Sequence, residues 1–288
     1  MLTTIFQAII LGILQGATEF IPISSSAHLI LVPWLFGWND PILTSLAFDV
    51  ALHLGTLAAV LIFFAADWVK LIRAWILSIK ERKIGTDPDR RLAWFVLIGT
   101  IPGGIAGILL ESKIDKLFHQ PGVPIQPAAI LLMAVIIAVL GGLLFLAEKM
   151  AKHIKNLKDL NIKDVALIGL AQALAVFPGV SRSGSTITAG LGLGLKREDA
   201  AKFSFMLSAP IIAGAGLKSI LEIFTGVSGG IITQNELVLF GVGVLMAALS
   251  GYVCIRFLLK YLQSHTVDIF VFYRWGLALL ISVVALVR

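Results

Sequence analysis

Six stretches of this chain, approximately 44–64, 92–110, 128–147, 203–221, 237–258 and 269–287, are each long and apolar enough to cross the hydrocarbon core of a bilayer, which takes about 20 residues at 1.5 Å each. A chain carrying six such runs cannot hide them in one soluble core, and lipid must serve as their solvent. The composition agrees, with 58% hydrophobic and 14% charged residues and a mean hydropathy of +0.96, against about 25% charged residues in ordinary soluble domains. A soluble globular enzyme is excluded, and residues 1–288 read as a single integral membrane domain. The only cysteine, Cys254, lies inside an apolar run, which excludes an intramolecular disulfide and a cysteine-based metal cluster. The net charge of +6 sits in short loops between apolar runs, where membrane topology places it, so no nucleic-acid partner is expected. No Lys or Arg precedes the first apolar stretch, and that stretch leads into a polar motif rather than a small-residue cleavage site, so the N-terminus is expected to be retained.

Two further apolar segments break instead of continuing: 2–20 at Phe20-Ile21-Pro22, and 162–177 at Phe177-Pro178-Gly179, each followed by a Ser-rich stretch and a short second apolar segment. These read as re-entrant helical hairpins. The 65–91 loop carries Lys70, Arg73, Lys80, Arg82, Lys83, Arg90 and Arg91, and the 148–163 loop carries Lys149, Lys152, Lys155, Lys158 and Lys163. Both are therefore expected on the cytoplasmic side. Lys196, Arg197 and Lys202 share that side only if 162–195 dips in and returns, and both termini then lie outside. The breaks also match in sequence: Gln15, Phe20, Pro22 and Ser24 in the first, Gln172, Phe177, Pro178 and Ser181 in the second. The expected fold is thus an all-α polytopic membrane protein with six transmembrane helices and two re-entrant hairpins in an inverted-topology repeat, approximately 1–110 and 160–260, with the hairpin tips meeting near the midplane.

Irregular backbone at membrane depth is tolerated where protein or a water-filled cavity covers it, so both breaks should line a polar pocket rich in amide N–H groups. Pro178-Gly-Val-Ser181-Arg182-Ser183-Gly-Ser-Thr186 offers hydroxyls, a guanidinium and a helix N-terminus, a combination suited to phosphate; the plainer reading is a capped helix whose Arg182 pairs with a buried carboxylate. In the first half Gln15 and Glu19 share a helix face, while Ser25 and His28 follow the break three residues apart. Glu19, an ionisable group within a membrane segment, is by default a functional candidate, with Arg182, His28 or a divalent cation as its partner. Asp49 and His53 form a second i, i+4 pair, read as an intrahelical hydrogen bond or as support for the site. The Gly190, Gly192, Gly194 alternation lacks the preceding strand of a dinucleotide loop and reads as close helix packing.

Gln15-x-x-x-Glu19 with Phe20, Pro22, Ser24, Ser25 and His28, and Pro178-Gly-x-Ser-Arg-Ser-x-x-Thr186, resemble the two signatures of the undecaprenyl-pyrophosphate phosphatase family, the bacitracin-resistance membrane phosphatases. Length, hydropathy and the repeat fit that family over essentially the whole chain. The resemblance implies hydrolysis of a polyprenyl diphosphate to the monophosphate and inorganic phosphate at the outer face of the plasma membrane, recycling the lipid carrier of cell-wall synthesis. It implies Ser25 as nucleophile, Glu19 and His28 as acid–base or metal-contacting residues, and Arg182, Ser183 and Thr186 as diphosphate-binding residues, with Ser24 and Ser181 beside them. It also implies dependence on Mg²⁺ or Ca²⁺, for which Glu19 and Gln15 are the candidate ligands; Gln15 in place of a glutamate leaves one carboxylate fewer. Attack by Ser25 through a phosphoserine and direct attack by water both fit the residues. A polyprenyl-phosphate flippase or anion carrier is the alternative function, since broken helices meeting at the midplane are a transporter design. The apolar outer helices are compatible with a homodimer and do not require one.

Overall fold

The computed structural model describes residues 2–118, 125–224 and 233–287. Eleven α-helices make up the described residues: α1 (Leu2–Phe20), α2 (Ser25–Phe36), α3 (Leu46–Phe63), α4 (Ala65–Lys80), α5 (Pro88–Phe118), α6 (Pro127–Met150), α7 (Ile162–Ala173), α8 (Arg182–Gly192), α9 (Arg197–Phe224), α10 (Gln234–Leu262) and α11 (Asp268–Val287). The fold is all-α, and its one β-bridge among these residues is an isolated pairing of Lys155 with Leu195.

The molecule has its polarity inside and its hydrophobicity outside. Ile108 is 80% exposed and Val287 82%, whereas Gln15, Thr56, Ser204, Ser208 and Arg274 are fully buried. That inversion is what a bilayer solvent selects, because lipid accepts exposed Leu and Ile while every polar group must find a partner in the protein.

All six apolar runs appear as helices, namely α3, α5, α6, α9, α10 and α11. α1 is a seventh helix long and apolar enough to cross a membrane, at about 28 Å for its 19 residues. α7, with 12 residues, spans only about 18 Å. A short 3₁₀ turn, Leu174–Val176, extends α7 to the second break. The 65–91 segment is more than a loop: it begins with α4, an amphipathic helix that buries Leu71, Ala74 and Ser78 and turns Lys70 and Arg73 outward. Its register lets Trp94 of α5 donate to Ser78 Oγ at 2.9 Å.

Glycine sets the closest helix contacts. A Cβ at Gly12 of α1 would lie 2.5 Å from the Gly243 carbonyl oxygen of α10, and a Cβ at Gly169 of α7 would lie 2.7 Å from the Gly99 carbonyl oxygen of α5. α3 packs on α10 as well, and α9 on α5. The segment from α7 to α8 returns to its starting point: Ile154 and Lys155 N–H both donate to the Gly194 carbonyl, and Lys196 N–H donates to the Lys155 carbonyl at 2.9 Å. Arg197 grips Glu148 through Nε and Nη2 at the same place. Lys202 reaches Asp67 at 3.1 Å, which joins the start of α9 to that of α4. In the 3₁₀ turn between α6 and α7, Asn156 N–H groups hold the Asp159 carboxyl below its usual range.

Candidate active site

The two breaks share one backbone solution. Ser24 and Ser181 both adopt positive φ, 78° and 70°, and both cap the short helix that follows: Ser24 Oγ accepts from Ala27 N–H and Ser181 Oγ from Gly184 N–H. In each break the reversed serine is the residue from which the second, short helix starts. The first N–H groups of α2 and α8 then have no intrahelical acceptor.

The breaks meet. Gly179 N–H of the second donates to Ser24 Oγ of the first at 3.2 Å, and Ser183 Oγ donates to the Ile21 carbonyl at 3.0 Å. Arg274 of α11 joins them from the side: Nη1 donates to the Pro22 carbonyl at 3.0 Å, Nη2 to the Gly179 carbonyl at 2.9 Å and the Val180 carbonyl at 3.3 Å, and Nε to the Ile137 carbonyl of α6 at 3.1 Å. Arg274 is completely buried, and its Nε, Nη1 and Nη2 all donate to backbone carbonyls. The guanidinium thus takes its partners from the two breaks and from one carbonyl of α6.

At this junction lies Glu19, buried at the end of α1. Its Oε1 accepts from Arg182 Nη2 at 3.0 Å. Its Oε2 accepts from Ser25 Oγ at 2.5 Å and from Gln15 Nε2 at 3.0 Å, with His53 Nε2 3.5 Å away. The expected Glu19–Arg182 partnership is present, and it spans the two breaks. Gln15 Oε1 is buried and has no hydrogen-bond partner. Arg182 also donates Nη1 to the Ser204 carbonyl of α9 at 3.0 Å.

His28 stands apart from this cluster. Its Nδ1 lies 2.6 Å from the Ser24 carbonyl and its Nε2 2.6 Å from the hydroxyl of Tyr273 on α11, so the ring faces α11 while Ser25 faces Glu19. Thr186 Oγ1 donates to the Arg182 carbonyl at 2.8 Å and lies 2.7 Å from Ser204 Oγ, and Ser181 Oγ lies 3.2 Å from Ser183 Oγ. These hydroxyls knit the second break to its surroundings. His53 does make a local bond, from Nδ1 to the backbone carbonyl of Asp49 at 2.7 Å; its other nitrogen is the one that approaches Glu19. Sequence reasoning missed Arg274 and Tyr273. The available signal was a charged residue within the apolar run 269–287, the same signal that singled out Glu19.

Chemically, the arrangement holds a hydroxyl on a buried carboxylate, places a guanidinium on the carboxylate's other oxygen, and surrounds both with helix N-termini. An arrangement of this form is able to activate a hydroxyl as a nucleophile beside a group that binds an anion.

A family profile described as "Bacitracin resistance protein BacA" matches residues 8–280. A protein of Thermomicrobium roseum named undecaprenyl-diphosphatase is 48% identical over 280 residues, covering 97% of this chain and 98% of the relative. A protein of the same name from Caldicellulosiruptor bescii is 45% identical over 285 residues, covering 99% of each chain, and one from Methanobrevibacter smithii is 43% identical over 284 residues, covering 96% of each.

Proposed function

The chain belongs to the bacitracin resistance protein BacA family, and from that premise we propose that it is a membrane phosphatase that hydrolyses undecaprenyl diphosphate to the monophosphate and inorganic phosphate. The observation that carries the reading is Ser25 Oγ held 2.5 Å from Glu19 with Arg182 on the other carboxylate oxygen at 3.0 Å. A carrier needs an anion-binding site but has no use for a hydroxyl poised on a buried carboxylate.

In the proposed reaction the diphosphate enters where the breaks meet, and Arg182 turns from Glu19 to its oxygens. Guanidinium and amide N–H groups then oppose the charge that spreads over the transferring phosphoryl group. Glu19 takes the Ser25 proton as Oγ bonds to the terminal phosphorus, and the anhydride P–O bond breaks with its electron pair going to the lipid monophosphate. Water then cleaves the phosphoserine, and inorganic phosphate leaves. Ser24, Ser181, Ser183 and Thr186 hold the shape of the breaks around the substrate.

The donor set fits a hard divalent cation, Mg²⁺ or Ca²⁺, in a limited way. The unpartnered Gln15 carbonyl oxygen beside Glu19 supplies oxygen ligands of the type such ions prefer, with substrate phosphates completing the shell. Among the described residues no group of three His, Cys, Asp or Glu side chains is placed to hold a metal ion, so these two residues would be its protein ligands. When bound, the cation would neutralise phosphate charge.

Residues 1–110 and 160–260 form, in this reading, an inverted repeat with re-entrant hairpins α1–α2 and α7–α8. Three observations support it: the paired Ser24 and Ser181 caps, the packing of α1 on α10 and of α7 on α5 through Gly12 and Gly169, and the return of 162–195 to Lys155. The lysine- and arginine-rich segments around 65–91 and 148–163 would face the cytoplasm of the plasma membrane, with the site opening outward so that the lipid carrier of cell-wall synthesis is recycled there.

The test is phosphate release from undecaprenyl diphosphate by the purified protein in detergent, with and without divalent cation. Wild type should release phosphate, and Glu19→Ala, Ser25→Ala and Arg182→Ala should abolish release. Rapid quenching should trap a phosphoserine at Ser25; its absence from turning-over enzyme would replace Ser25 attack with direct attack by water. Folded wild type that releases none, across chain lengths and cations, would overturn the hydrolase reading.

A further inference from the structure

We propose that Arg274 is a positioning residue for the diphosphate: it holds the Val180–Ser181 peptide so that Ser181 N–H donates to a phosphate oxygen, and it supplies a positive charge that the substrate neutralises. The inference rests on the hydrolase reading for its anion and extends the site to α11.

The charges at the junction do not balance. Glu19 and Arg182 cancel as an ion pair at 3.0 Å. Arg274, a guanidinium that stays charged in proteins, is fully buried and forms no ion pair among the described residues. Its donors end on four backbone carbonyls, whose dipoles satisfy its hydrogen bonds but carry no net charge. One carboxylate thus stands against two guanidiniums where the breaks meet. A buried charge without a counter-charge is costly, so an anion bound here lowers the energy of the junction.

The peptide groups indicate where an oxygen of that anion binds. In a planar trans peptide the N–H points opposite to the C=O, so a carbonyl turned towards Arg274 turns the next residue's N–H away from it. Three carbonyls of the breaks are held in this way. Behind the Pro22 carbonyl, Ile23 N–H donates to the Ile21 carbonyl at 2.7 Å, and behind the Gly179 carbonyl, Val180 N–H donates to the Phe177 carbonyl at 3.2 Å. Behind the Val180 carbonyl, Ser181 N–H has no acceptor among the described residues. Ser181 is buried, and a buried amide N–H calls for a partner. The next residue is Arg182, whose guanidinium rests on Glu19, so this N–H belongs to the strand of backbone that carries the reacting groups' own anion binder.

A phosphate oxygen on Ser181 N–H is one peptide group away from Arg274. The guanidinium lies 3.3 Å from the Val180 carbonyl; crossing the peptide and one new hydrogen bond keeps guanidinium and phosphate within about 9 Å. Inside a protein, charges at that range still attract. Arg182 exchanges Glu19 for the substrate in the proposed reaction, whereas Arg274 keeps its carbonyls throughout. Its charge therefore acts alike on bound substrate and on transition state, which predicts an effect on KM rather than on kcat.

The experiment compares wild type, Arg274→Lys and Arg274→Gln as full-length protein in detergent, below their unfolding midpoints. It reads kcat and KM of phosphate release and the inhibition constant of inorganic pyrophosphate. Arg274→Gln should raise KM and the inhibition constant about tenfold and leave kcat within about threefold. Arg274→Lys keeps the charge and should hold both constants within about threefold of wild type, although it unfolds earlier. A folded glutamine variant with wild-type KM and inhibition constant would overturn the proposal, and so would a lysine variant as weak as glutamine. Wild type gives a second readout that does not depend on how the variants fold. Labelling with ¹³C-carbonyl valine and ¹⁵N-serine marks only the Val180–Ser181 and Val227–Ser228 amides, and Val227→Ala assigns them. Pyrophosphate should shift the Ser181 amide; an unmoved Ser181 amide at inhibiting concentrations would overturn the proposal while the hydrolase reading stands. A wild type that releases no phosphate yet shows this shift would overturn the hydrolase reading and support the anion site.

Discussion

The two breaks are alike in backbone and opposite in chemistry. At a fixed offset of about 157 residues, Gln15, Phe20 and Ser24 correspond to Gln172, Phe177 and Ser181, and both glutamines keep a buried amide oxygen without a partner. Among the positions that carry chemistry the copies diverge: Glu19 aligns with Val176, Ser25 with Arg182, and His28 with Ser185. The first break carries the carboxylate and the serine hydroxyl that donates to it, the second the guanidinium. A reversed serine capping a short helix is therefore a reusable scaffold, and the site arises because two differentiated copies are held face to face, so that Glu19 of one meets Arg182 of the other at 3.0 Å.

The sharpest way to break this comparison is to make matched changes at the divergent positions. Glu19→Gln keeps the shape and removes the proposed base, and it should lower kcat by about 10²- to 10⁴-fold. Val176→Ala, at the corresponding place in the second break, should leave phosphate release within about twofold. Equal losses from the two would mean that the copies share the chemistry as well as the backbone.

Arg274 tests what holds the copies together. Arg274→Gln leaves carbonyls of Pro22, Gly179, Val180 and Ile137 short of donors, at about 1–3 kcal/mol for each buried group left unsatisfied. The expected loss is several kcal/mol, read as a fall in the thermal unfolding midpoint in detergent. Arg274→Lys, which keeps the charge but not the fork, should recover part of it. A Gln variant as stable as wild type would remove Arg274 as the link between the breaks.

How much of this could be read from the chain alone depended on distance along it. The six apolar runs, the two Pro/Ser breaks and the i, i+4 pairing of Gln15 with Glu19 are local patterns, and each appears where its pattern places it. The pairing of Glu19 with Arg182 was reachable because few charges lie inside the apolar segments and opposite charges there must meet. Arg274 and Tyr273 were not read, because the run 269–287 satisfies a hydropathy count despite its arginine, and nothing in its spacing tells that the guanidinium reaches backbone carbonyls 95 and 252 residues away. His28 was grouped with Ser25 by spacing. Its ring turned elsewhere because Ser24 offers a carbonyl one helical turn back and Tyr273 a hydroxyl, contacts that spacing cannot express. The 65–91 segment reads as a loop in the sequence because its charges mask an apolar face of α4 that only packing against α5 reveals.

The packing of the copies can be tested at their glycines. Gly12→Ala and Gly169→Ala would each press a methyl against a facing carbonyl, Gly243 at 2.5 Å and Gly99 at 2.7 Å. Overpacking of this kind costs about 1–3 kcal/mol, so the two variants should show similar drops in unfolding midpoint. A large loss at one and none at the other would show that α1 on α10 and α7 on α5 are not equivalent contacts.

The smallest effect is expected at the serines that make the breaks alike. Ser24 and Ser181 adopt φ of 78° and 70°, a backbone region that costs a residue with a Cβ about 1–3 kcal/mol. Ser→Ala at either position keeps that strain and removes the cap, worth about 1 kcal/mol. Ser→Gly also loses the side-chain acceptor but relieves the strain, and glycine at a cap position costs only a few tenths of a kcal/mol. Glycine should therefore be at least as stable as alanine at both positions, by about 1 kcal/mol, in thermal unfolding of the purified protein. Ser24 also accepts Gly179 N–H across the junction, so Ser24→Gly should recover less than Ser181→Gly. If alanine proves as stable as glycine at either serine, the reversed backbone there is not what the sequence is paying strain to keep, and the likeness of the two breaks would rest on their hydrogen bonds alone.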